Sequence, residues 1–276
     1  MARGKPARER APGTPREDVS ARTGRERPDY HDEGIVLRSY RLGESDKILR
    51  LLTREHGKRS AVGKGVRKTT SRFGARLEPL TRARLHLHRG RSMDVVKQAE
   101  IVTSFQELRD DLGLFVTASS MAELADTLAA EHQPDPGLYD LVLLGLQLLK
   151  DRPADAPFAA AFFGFKVMAH AGFELMVARC AGCGAPPEGA TWFSLPLGGL
   201  VCSSCRSCGA AGRGGLIMVG DGCARALEWM SEHALGEWPP EIDESVSGEA
   251  GVLMGKVLEH WMEREFRTHR VRRELP

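Results

Sequence analysis

Two Cys-x-x-Cys pairs constrain this chain more than any other feature: Cys180-Ala181-Gly182-Cys183 and, eighteen residues later, Cys202-Ser203-Ser204-Cys205. Each pair folds as a tight knuckle whose turn points two sulfurs and several free amides at one place, and two knuckles at this separation set four thiolates tetrahedrally around one zinc ion. Gly182 and Gly184 supply the turns, and Gly198-Gly199 leads into the second knuckle as a hairpin does in a zinc ribbon. Disulfides are disfavoured in a reducing cytosol, and a redox dithiol needs only one pair. Cys208 forms a further Cys-x-x-Cys with Cys205, but using it with the first knuckle lengthens the loop to twenty-one residues, so it stands as a reserve ligand. Cys223, near a helix start, reads as an ordinary buried thiol. Four sulfurs leave no position for water, so the expected metal is structural and no catalytic residue is assigned to it.

Charge is the second constraint. Residues 1–29 carry 8 basic and 5 acidic side chains, 30–105 carry 17 and 8, and 106–276 carry 14 and 24, or +3, +9 and −10 in turn. A basic module joined to an acidic one points to a polyanion on the first. The basic run from Arg54 to Arg91 holds twelve Lys or Arg and two acids, Glu55 and Glu78. Within it, residues 64–76 mix cations with Gly and hydroxyl side chains, a composition that can follow an irregular phosphate backbone. The candidate phosphate-binding residues are Arg59, Lys64, Arg67, Lys68, Arg72, Arg76, Arg82 and Arg84. Phe73 or Tyr40 can stack on an unpaired base; alternatively Phe73 is tucked into the barrel.

The organisation follows from periodicity. Residues 1–29 are rich in Arg, Pro and Gly, lack the apolar centre of a signal peptide and read as a disordered basic tail. Residues 30–105 hold five short β-prone runs: Gly34–Tyr40, Lys47–Thr53, Arg59–Gly63, Thr81–His88 and Met93–Val102. Five such strands fit an OB-fold barrel, although the pattern alone allows an SH3-like barrel equally. Residues 106–178 and 216–276 have helical periodicity, with Pro134, Pro136, Pro153 and Pro157 at the breaks, and the cysteine segment 179–215 is inserted between them. The expected fold class is therefore α+β multidomain: an N-terminal OB barrel, then an all-α helical domain with an inserted four-cysteine ribbon. No apolar run is long enough to span a bilayer, and with no signal peptide read in the first residues the expectation is a cytoplasmic protein.

Two motifs mislead. Gly57 to Gly63 followed by Lys64 has one residue too many between its glycines for a P-loop, and Gly65 replaces the magnesium-binding hydroxyl. His31-Asp32-Glu33 matches a deaminase His-x-Glu, but no Pro precedes Cys202 and a closed four-cysteine site needs no His, so His31 reads as a surface residue.

The stretches Gly34-Ile35-Val36-Leu37, Gly43-Glu44-Ser45-Asp46-Lys47, Gly57-Lys58 and Lys64-Gly65-Val66-Arg67-Lys68, together with Phe173 before Cys180 and Gly198-Gly199-Leu200-Val201-Cys202, resemble the RecO family of recombination mediators over roughly residues 30–270. The tail before Asp29 lies outside that pattern, and some family members lack the cysteines. The resemblance implies a non-enzymatic protein that binds single- and double-stranded DNA, anneals complementary strands and works with RecR to help RecA displace single-strand-binding protein. On this expectation the acidic helical part docks protein partners, among them the C-terminal tail of single-strand-binding protein. A zinc-ribbon RNA-binding or transcription accessory factor is the alternative that charge and cysteines alone would allow.

Overall fold

A computed structural model describes residues 28–68, 71, 73–186, 191–210, 214–239 and 241–262. The tail over residues 1–27 and the C-terminal stretch 263–276 lie outside the described residues, as does Arg72.

The five β-prone runs form five strands: β1 (Asp29–Leu42), β2 (Asp46–Thr53), β3 (Gly57–Gly63), β4 (Arg82–His88) and β5 (Asp94–Thr103). They close in the order β1-β2-β3-β5-β4, with β4 returning to pair with β1. All contacts are antiparallel except β3–β5, where Ala61 and Val62 align in parallel with Asp94 and Val95. That pair closes the barrel in the OB manner, and no strand count could have revealed it. Alternation turns Val36, Leu49, Leu51, Ala61, Ala83, Leu85, Leu87 and Val96 inward. Phe73 and Leu77, from the β3–β4 connection and its 3-10 turn (Gly74–Leu77), complete this core.

The helical part begins with α1 (Gln106–Asp110) and α2 (Leu112–Leu128), followed by α3 (Pro136–Asp151) and α4 (Ala156–His170). The side chains of Asp111 and Asp135 accept from the amides of Leu114 and Leu138, capping α2 and α3. Next come β6 (Thr191–Ser194), β7 (Gly199–Val201), the short α5 (Ser203–Ser207) and β8 (Leu216–Val219). Finally α6 (Asp221–Glu232) and α7 (Glu244–Trp261) pack back onto α4. The ribbon is a three-stranded sheet in the order β7-β6-β8. Its third strand runs to Val219, past the boundary that cysteine and glycine content placed at 215, because Leu216-Ile217-Met218-Val219 is also a plausible helix entry and only its pairing with β6 makes it a strand. Among the described residues no helix is long and apolar enough to cross a membrane.

Barrel and helices share one core. Ile35, Leu37, Leu52 and Leu80, on the outside of the barrel, belong to the same buried cluster as Leu124, Tyr139, Leu146 and Phe162. Around this seam the two halves' opposite charges meet. Arg38 pairs with Glu123 at 3.1 Å, Arg50 with Asp126 at 3.2 Å and with Glu131, and Arg54 with Asp140 at 2.9 Å. Lys58, with only 9% of its side chain exposed, donates to the Asp126 carbonyl at 2.6 Å and lies 3.7 Å from its carboxylate. Part of the charge split thus holds the protein together and is not offered to a ligand.

A candidate nucleic-acid interface and a four-cysteine centre

The eight candidate cations separate into groups once their neighbours are known. Arg59 points to the base of the barrel, where Asp94, itself buried, receives its guanidinium at 2.7 Å; Tyr30 and His132 also contact it. Arg82 is bound to Glu33 at 2.6 Å, and Tyr139 donates to the same carboxylate. These two arginines stabilise the fold. Arg84 faces solvent with only a long, exposed contact to Glu100 at 3.6 Å. Lys64, Arg67, Lys68 and Arg76 are exposed on the β3–β4 connection. Arg76 hydrogen-bonds the Phe73 carbonyl at 3.1 Å, and no ion pair to Lys64, Arg67 or Lys68 occurs among the described residues.

The connection is anchored. The Gly65 amide donates to Asp46 at 2.8 Å, the Arg67 amide to the Ser45 carbonyl at 2.9 Å, and the Arg67 guanidinium to the Gly43 carbonyl at 3.1 Å. The Gly65 amide, with the Ser45 hydroxyl and nearby Lys64 and Lys68, holds the Asp46 carboxyl below its usual range. The backbone that carries Lys64, Arg67 and Lys68 is thereby held beside the β1–β2 turn, and the Arg67 side chain is bonded to it. The two possible stacking residues then part company. Phe73 is 1% exposed inside the barrel and offers no face to a base, because the connection folds back to plug the barrel end. Tyr40 is 42% exposed on the outer face, aligned across the strands with Ile48 and then Val62, both half-buried. Sequence reasoning missed this Tyr40–Ile48–Val62 row, because it depends on register and on a bulge between Val36 and Arg38.

In the ribbon, the sulfurs of Cys180, Cys183, Cys202 and Cys205 all lie within 4.8 Å of one another. A tetrahedron with zinc–sulfur bonds of ~2.3 Å has edges of about 3.8 Å, and Cys183 Sγ stands 3.9 Å from Cys202 Sγ. The amides of Gly182 and Cys202 point at Cys180 Sγ at 3.4 and 3.3 Å, and that of Cys205 at Cys202 Sγ at 3.5 Å. Burial alone would raise the Cys180 thiol; the surrounding amides of Cys202, Cys183 and Gly182 outweigh it and bring the thiol down to about 6. A Cβ on Gly182 would lie 3.0 Å from Cys205 Sγ, so glycine lets the knuckles close. The donor set, spacing and thiolate-stabilising amides fit a tetrahedral metal ion. Cys208 lies outside the cluster, exposed, with its sulfur donating to the Cys205 carbonyl at 3.5 Å; Cys223 is fully buried elsewhere.

Comparison with known proteins now adds to this geometry. The family model for the recombination protein O N terminus matches residues 28–105, which is the barrel, and the model for its C terminus matches residues 109–216. A protein named DNA repair protein RecO from Frankia casuarinae is 37% identical over 245 residues, covering 87% of this chain and 97% of that protein. The chain belongs to the RecO family. A RecO relative from Desulforudis audaxviator is 36% identical, covering 87% of this chain and 94% of its own length, and one from Bifidobacterium adolescentis is 43% identical over 64% and 74% respectively. The RecO N-terminal match ends where the last barrel strand does, and the C-terminal match takes in α2 to α4 and all four clustered cysteines.

Proposed function

We propose that this RecO-family chain is a DNA-binding recombination mediator whose DNA-contacting surface is the outer face of β1–β3 with the β3–β4 connection beside it. The observation that carries this reading is the exposed trio Lys64, Arg67 and Lys68, on a connection anchored to the β1–β2 turn, together with the outer-face row of exposed Tyr40 and half-buried Ile48 and Val62. Cations hold phosphates while an aromatic and two aliphatic side chains receive bases, the combination that suits single strands. Arg76, on the same connection, and Arg84, on β4, extend the cationic set, and Arg72, outside the described residues, is proposed with them. The barrel face near Arg50 and Lys58 is unavailable, since Asp126 and Glu131 cover it. Neutralised strands can approach while their base edges stay free to pair, which supports annealing without a catalytic residue. In this reading RecR and the C-terminal tail of single-strand-binding protein are partners, the helical part is their docking surface, RecA loading follows, and the nucleoid is the place of work. The four-cysteine centre holds one structural zinc ion and contacts no substrate.

With about six phosphate contacts and a single-strand slope of roughly −0.7 each, affinity for an oligonucleotide should fall on the order of 10²- to 10³-fold between about 50 and 200 mM salt. Fluorescence anisotropy across that range tests it, and a flat profile contradicts the phosphate model. The variant Lys64→Ala/Arg67→Ala/Lys68→Ala should weaken all sequences equally and flatten the salt slope by about two units. Tyr40→Ala should cost single strands on the order of 1–3 kcal/mol in binding and duplexes much less, with Tyr40→Trp restoring the loss. Equal losses on single strands and duplexes would remove Tyr40 from base contact. Annealing of oligonucleotides coated with single-strand-binding protein, with and without RecR, tests the mediator role itself.

A further inference from the structure

On the outer face of β1 and β4, beside Arg84, the barrel carries a compact set of metal-ligating side chains to which neither the proposed DNA contact nor the cysteine centre assigns a role. Strands β1 and β4 are antiparallel neighbours with Asp29 opposite His88 and His31 opposite His86. The residues between them, Tyr30, Leu85 and Leu87, point into the barrel core, so alternation places all four of these side chains together on the outside. Directly opposed positions have Cβ atoms about 4.5–5.5 Å apart, and positions two apart along a strand are separated by roughly 6.5–7 Å. A two-by-two patch of that size lets imidazoles and a carboxylate converge on one ion.

The contacts already lean that way. Asp29 Oδ1 sits 2.5 Å from His88 Nδ1, and Asp29 Oδ2 sits 3.9 Å from His86 Nε2. The His31 and His86 rings stack, 4.4 Å between centroids and 19° between planes. The hydrogen bond from His88 leads the causes that hold the Asp29 carboxyl below its ordinary range. The donor atoms are not yet gathered as the four sulfurs are. Gathering them needs side-chain rotation only, of groups that mostly face solvent: Asp29 and His88 are 52% and 40% exposed at the side chain, and His86 25%.

We propose that Asp29, His86 and His88, joined by His31, bind a divalent first-row transition ion of the kind that prefers imidazole, with zinc as the probe. Imidazole nitrogens with one carboxylate suit zinc, nickel and copper and do not suit magnesium or calcium, which take oxygen. With His31 joined to the other three, such a set supplies the four ligands that a tetrahedral zinc ion takes.

The test uses the full chain without an affinity tag, carrying Cys208→Ser to remove the exposed thiol outside the sulfur cluster. Equilibrium dialysis against micromolar free zinc, with metal read by atomic emission, is expected to show one more zinc per chain than the same chain carrying His86→Ala/His88→Ala. Imidazole 15N resonances of His31, His86 and His88 should move on zinc addition while the melting temperature of the double variant stays that of its parent. If the two chains take up the same amount of zinc, the site does not exist. Magnesium at the same concentrations should leave the resonances in place; a shift as large as that caused by zinc would overturn the assignment to an imidazole-preferring ion.

Discussion

Cys180→Ser or Cys205→Ser is expected to melt the knuckle side of the ribbon while the barrel stays folded. The small core there consists of Cys180, Val201 and Cys205, with Ala181, Trp192, Cys202 and Leu216 packed around it. Two of its three buried members are themselves the proposed metal ligands, so little apolar packing would remain if they no longer held an ion. A structural zinc site typically supplies on the order of 10–16 kcal/mol of apparent binding energy, more than that cluster can provide. The barrel is separated from this loss because its own core, built from Leu49, Leu51, Phe73 and Leu85, includes no ribbon residue. Hydrogen exchange should show the knuckle residues 180–185 and 202–208 losing protection and β1–β5 keeping it, and a strong chelator should reproduce the pattern in the unaltered chain. Trp192, whose ring carries the Arg206 guanidinium at 4.4 Å, supplies a fluorescence signal for the same event. Unchanged protection in residues 180–185 and 202–208 after chelation would show that the sulfurs hold the fold without a metal.

The second large effect concerns Gly57. It has φ +69°, and an added Cβ would come 2.0 Å from the carbonyl oxygen of Gln133 and 2.8 Å from its amide nitrogen. Both are backbone atoms, so no side chain can swing aside. Gly57→Ala therefore adds the cost of a left-handed residue, about 1–2 kcal/mol, to that of pushing the 131–133 segment off β3. The total should be about 3 kcal/mol or more, measured by chemical denaturation. Gly43→Ala is the control: φ is +57° there but nothing lies within 4 Å of the added carbon, so only the conformational cost applies. Equal losses for the two variants would mean that the approach of Gln133 to β3 carries no weight.

How much of this was legible in the sequence depended on whether the signal was local. The five strands were, because period-two alternation and glycine-bearing turns are written in consecutive residues. The paired knuckles were too, because a Cys-x-x-Cys turn needs nothing but its own four residues. The choice between OB and SH3-like closure was not, since it rests on Val62 meeting Val95 in parallel across thirty-odd positions. Phe73 was readable either as a base-stacking ring or as a core side chain, and only the path of the connection resolves it. The charge split was visible, but its meaning was divided: Arg38, Arg50, Arg54 and Lys58 answer Glu123, Asp126, Glu131 and Asp140 across the molecule, while Lys64, Arg67 and Lys68 face solvent. Arg59 and Arg82 looked like their neighbours in the basic run, yet they belong with the internal pairs because Asp94 and Glu33 reach them from other strands.

The continuous core that runs from Ile35, Leu37 and Leu52 into the helices has a mechanical consequence. Swinging the barrel away would return those three side chains to water at a cost of roughly 1.5–3 kcal/mol each, besides separating the charged seam. Among the described residues the barrel and helices act as a fixed jig: a strand resting on Tyr40 and a partner docked on the helices, as proposed, would keep a constant distance and orientation, one presented to the other by geometry alone.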